Sequence, residues 1–74
     1  MDHSAIERWL HGGALEGVEY ALDDDVVVLE GDAAGESGVV VSLQALAPEP
    51  LYGVQLESGE NVGVLQSSLR PAAR

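Results

Sequence analysis

Two histidines, a run of three aspartates, a glycine-spaced loop and a pair of serines are the residues whose types suit chemistry. His3 and His11 could ligate a metal ion alongside nearby carboxylates. They lie eight residues apart across a stretch that reads as a short helix, about 12 Å by the rise per residue. One ion does not span that gap, so both read as solvent-exposed. Asp23, Asp24 and Asp25 offer oxygen ligands for Ca²⁺. The alternating ligands, fixed glycine and distal glutamate of a calcium loop are missing, which leaves a solvated acidic turn or a patch facing a basic partner. Gly31, Gly35 and Gly38 have a superficial likeness to a phosphate loop. Asp32 and Glu36 would repel a phosphate there, no Lys follows, and no long helix opens. These glycines read instead as positive-φ positions of a loop. Ser67 and Ser68 lack a neighbouring base, and the chain has neither Cys nor a Gly-x-Ser-x-Gly elbow. No catalytic residue, cofactor or metal is therefore expected, and the chain is not read as an enzyme.

Trp9 carries two readings. A lone Trp is a common hot spot at a protein interface. It is also a large apolar side chain that, with Ile6 and Leu10, closes one end of a small core, which a domain this small needs. The candidate contact surface read from the sequence is Trp9 together with Asp23, Asp24 and Asp25.

The elements that position these residues follow from period and punctuation. Ile6, Trp9 and Leu10 fall on one helix face, and Gly12-Gly13 stops it, which predicts a helix over residues 5–11. Ser4 and Glu7 have the form of a capping box. Residues 14–24 fit either a further helical turn or an extended connector. From Asp25 the period changes to β-branched runs. Strands are predicted near 25–30, 38–45, 51–57 and 60–65, a one-turn helix near 67–69, and a last short strand at Arg70-Pro71. The expected core is Val27, Leu29, Val39, Val41, Leu43, Val54, Leu56, Val62, Val64 and Leu69. A slip of one residue inverts the parity of the Val runs. Residues 1–23 form a helix and connector, and residues 24–72 form a small barrel.

Composition bounds the partners. The chain has 74 residues, 13 of them acidic, against 3 Arg and no Lys, for a formal charge of −10. That balance disfavours DNA, RNA and anionic membranes, and favours basic proteins. The length allows one domain, and no stretch approaches the roughly 18–20 apolar residues that span a bilayer. The absence of Cys, with a Met1-Asp2-His3-Ser4 start unlike a secretory signal, points to the cytoplasm.

The segments DVVVLEG (25–31), GESGVVVSL (35–43), YGVQL (52–56), VGVL (62–65) and LRP (69–71) together resemble the SH3-like barrels of the KOW kind. The likeness is greatest to a set of short uncharacterised bacterial proteins with the pattern DVV-x-L … G-x-x-G-x-V-V. The resemblance covers about residues 24–72 and implies a mainly β fold, a small SH3-like barrel preceded here by the short N-terminal helix. Nucleic-acid or ribosome association in the KOW manner is the alternative function it implies. A signalling SH3 groove is lined by aromatics, and this segment offers Tyr52 alone. The leading expectation is a non-enzymatic protein–protein interaction module with an acidic surface, able to self-associate. A small immunity-type or structural protein that binds a basic partner is a further alternative.

Overall fold

The computed structural model describes residues 3–72, except the side chains of residues 3 and 4. The apolar spacing of Ile6, Trp9 and Leu10 produces helix α1 over His3–Leu10. Gly12, at φ 86°, ends it in the left-handed region. Its amide donates to the Trp9 carbonyl at 3.0 Å and that of Gly13 to the Arg8 carbonyl at 2.8 Å, which satisfies two carbonyls of the last turn. The helix starts earlier than the expected 5–11. The Ser4 hydroxyl of the predicted capping box lies outside the described residues. Residues 14–24 resolve as a connector of turns with neither helix nor strand. Asp23 takes φ 72° there, and the Asp24 carboxylate accepts the Ala21 amide at 2.9 Å.

Among the described residues five strands follow: β1 (Asp25–Val28), β2 (Ser37–Ala45), β3 (Leu51–Leu56), β4 (Asn61–Leu65) and β5 (Leu69–Pro71). A 3₁₀ turn over Gln66–Ser68 joins the last two. All four pairings are antiparallel, and the sheet order is β4-β3-β2-β1-β5. Val28 and residues 62–64 line one groove although β2 and β3 separate their strands in the sheet, so the sheet curls on itself. The protein is mainly β, a barrel-like five-stranded sheet with one short N-terminal helix.

One core fills this body, and α1 packs onto β2 beside it. Trp9 and Tyr20 belong to that core, together with Tyr52, Val26, Val28, Val40, Leu43, Val54, Leu56, Val64 and Leu69. Tyr52 sits between the other two rings, edge-on to Tyr20 at 5.5 Å and tilted against Trp9 at 6.5 Å.

The expected parity of the first two Val runs is inverted. Val26, Val28 and Val40 point inward, whereas Val27 and Val39 are half-buried, Leu29 is 45% exposed and Val41 is 37% exposed. Two causes act. Asp25 opens β1 and keeps its carboxylate off the core face, which turns Val26 and Val28 inward by the two-residue period. In β2 the register slips between Val40 and Ser42, so Val41 is an extra residue bulged outward. Beyond it Leu43 points in, as expected, and so do Val54, Leu56, Val64 and Leu69. Val62 packs against the core half-buried.

Candidate functional site

A hydrogen-bonded chain fixes the N-terminal segment to the barrel. The Trp9 indole N–H donates to the Tyr20 carbonyl at 2.7 Å. The Tyr20 amide meets the Tyr52 hydroxyl at 3.4 Å, and that hydroxyl donates to Gln66 Oε1 at 2.5 Å. Gln66 Oε1 also accepts the Glu19 amide at 2.9 Å, while its Nε2 donates to the Gly17 carbonyl at 3.0 Å. Burial pushes the Tyr20 hydroxyl above its ordinary pKa, and the Glu19 and Asp24 carboxylates add to the rise. Burial also raises that of Tyr52, with amide hydrogen bonds from Tyr20 and Glu19 opposing it. Among the described residues no buried side-chain nitrogen or oxygen lacks a partner.

This chain settles where Trp9 lies. It is 2% exposed, with its one donor satisfied, so its ring belongs to the core and not to the contact surface expected of it. The physical reason is area: a helix of two turns holds its place only by burying its largest side chain. Asp23 and Asp24 are exposed and Asp25 is half-buried.

The acidic residues that flank β1 fall into two patches. At its start, Glu19, Asp23, Asp24 and Asp25 line a groove of about 350 Å³ with Tyr20, Pro71 and Ala72. At its end, Glu30, Asp32 and Glu36 from the β1–β2 loop face Glu60 and β4 across a groove of about 480 Å³. Its apolar lining is Val28, Ala33, Val62, Val64 and Leu65. The loop holds its shape through two bonds at Val28: its carbonyl accepts the Gly35 amide at 2.7 Å, and its amide donates to the Glu36 carbonyl at 3.0 Å. Among the described residues, neither groove is lined by an Arg.

Sequence reasoning missed the second groove. Asp32 and Glu36 were read as obstacles to phosphate and as acidic residues flanking the first strand and its loop, and Glu60 as the first residue of a strand. The available signal was the Asn61–Leu65 strand itself, which carries no charge while carboxylates crowd the segments before it. Among the described residues, no group of three or more His, Asp or Glu is arranged to hold a metal ion. Nor is any helix there long and apolar enough to cross a membrane. No protein-family model matches this chain, and no curated protein is significantly similar to it.

Proposed function

We propose that this chain is a non-enzymatic protein–protein interaction module that works in the cytoplasm and binds a basic partner through its acidic surface. The observation that carries the reading is the pair of grooves at the two ends of β1, each walled by carboxylates with no cation in its lining among the described residues. Carboxylates so placed attract a cationic partner and hasten its encounter. They repel a phosphate backbone, which sets the reading apart from nucleic-acid association. On fold, the meander order β4-β3-β2-β1-β5 with a 3₁₀ turn before the last strand supports kinship with the SH3-like barrels of the KOW kind.

Titration calorimetry with a polyarginine peptide at low salt tests the reading. Three proteins are compared: the wild type; the variant with Asp23→Asn, Asp24→Asn and Asp25→Asn; and the variant with Glu30→Gln, Asp32→Asn, Glu36→Gln and Glu60→Gln. The wild type is expected to bind, and at least one variant to bind about tenfold more weakly, a loss of about 1.4 kcal/mol. No binding by the wild type, or undiminished binding by both folded variants, contradicts it.

A further inference from the structure

The two edges of the sheet are unlike. On one side β5 is three residues long and ends in Pro71, which blunts it against further pairing. On the other side β4 pairs, among the described residues, only with β3. It is five residues long, about 17 Å, and contains no charge and no Pro. The ladder bonds define which of its groups are open. The Leu56 amide donates to the Glu60 carbonyl at 2.8 Å, and the Gln66 amide to the Pro50 carbonyl at 2.9 Å. Antiparallel pairs alternate between bonded and non-bonded, so Val62 and Val64 bond to β3. Asn61, Gly63 and Leu65 then direct their N–H and C=O groups away from it, along the open edge. Gly63, at the middle, has no side chain to shield them.

The groove of about 480 Å³ runs along this same edge. Four successive residues of β4, 62–65, line it, and residues on both faces of a strand line one groove only where that groove lies edge-on. The opposite wall is the β1–β2 loop with Glu30, Asp32 and Glu36, and Glu60 stands at the near end of β4. An extended segment laid here would pair its backbone with Asn61, Gly63 and Leu65. Alternate side chains would reach the apolar lining, and the others would reach the carboxylates.

We infer that β4 binds its partner by strand addition, taking an extended segment of alternating cationic and apolar residues into this groove. The inference rests on the acidic-module reading and names the partner's chemistry. The charge distribution selects a cationic occupant over a second copy of the chain. Pairing β4 with β4 would bring Glu30, Asp32, Glu36 and Glu60 of each copy toward those of the other.

Amide hydrogen exchange on the full chain, followed by NMR with a peptide of alternating Arg and Val, tests this inference. A peptide of alternating Glu and Val is the comparison. The expected result is about tenfold or greater slowing at Asn61, Gly63 and Leu65 with the Arg–Val peptide alone. Gly63→Pro removes the central outward N–H without breaking a bond to β3 and should weaken binding about tenfold. Gly63→Ala keeps that N–H, and its methyl meets the flexible Gln44 amide end at 3.3 Å and Leu51 Cδ1 at an ordinary 3.8 Å, so binding should persist. If Gly63→Pro does not fold, the wild-type exchange map with the two peptides decides alone. Arg–Val binding that leaves the β4 amides unchanged and shifts Asp23, Asp24 and Asp25 instead overturns strand addition while sparing the acidic-module reading. Protection of the β4 amides by rising protein concentration without peptide overturns the cationic occupant. A folded Gly63→Pro variant that binds as the wild type does also overturns the inference. No Arg–Val binding at low salt removes both readings.

Discussion

Gln66 ties the connector to the barrel with three hydrogen bonds, to the Tyr52 hydroxyl, the Glu19 amide and the Gly17 carbonyl. Gln66→Ala leaves the Tyr52 hydroxyl without its acceptor, so the expected loss is about 1–3 kcal/mol in urea unfolding. Tyr52→Phe removes the group that needs the acceptor and should cost less. Trp9→Ala should cost about 3–5 kcal/mol, because it empties the core next to Tyr52 and frees the Tyr20 carbonyl. The tyrosines also set an alkaline limit. Both hydroxyls have pKa values raised in the fold, first by burial, so the folded state favours their neutral forms. That contribution is complete below the unfolded value of about 10 and is lost as pH rises through the folded values. The urea midpoint should therefore fall on going from about pH 9 to pH 11, and fall less steeply in Tyr52→Phe. The burial of Trp9 was legible as one of two readings, from its place on a face with Ile6 and Leu10. Gln66 was not legible, because its partners lie 14, 47 and 49 residues away and no local pattern marks contacts that long.

At the scale of elements, β-branched runs and glycine turns were enough to foresee the strands, and strand ends moved by only a residue or two. The facing of those strands was not foreseen. Val26, Val27 and Val28 contain no polar beat to mark an outer face, and the slip at Val41 arises from pairing with β3, which no single segment encodes. Asp25 was the overlooked cue, since an acid opening a strand fixes the facing of the residues after it. The bulge gives a sharp test with adjacent positions. Val41→Asp should leave stability within about 0.5 kcal/mol, because the side chain already meets solvent. Val40→Asp places a carboxylate at a fully buried site and should unfold the domain. Thermal melts of the two variants check this, and equal melting temperatures would contradict the register.

Charge dominates the behaviour of the whole molecule. Thirteen acidic residues and 3 Arg in 74 residues make a body that repels itself. Raising NaCl from about 0.02 M to about 0.5 M shortens the screening length and should raise the melting temperature by a few degrees. A fall would mean that attractive ion pairs outweigh the repulsion. The same field is what the proposed function uses. Composition made its sign legible, but the division into two grooves required the curl of the sheet, which brings the β1–β2 loop to β4. The most direct test of an acidic module for basic partners sets two labelled ligands against each other by fluorescence anisotropy. One is the Arg–Val peptide and the other a single-stranded RNA, each titrated at about 0.02 M and about 0.5 M salt. The expected result is saturable peptide binding that weakens about tenfold or more with salt, and no RNA binding at either concentration. Tight, salt-sensitive RNA binding without peptide binding would contradict it.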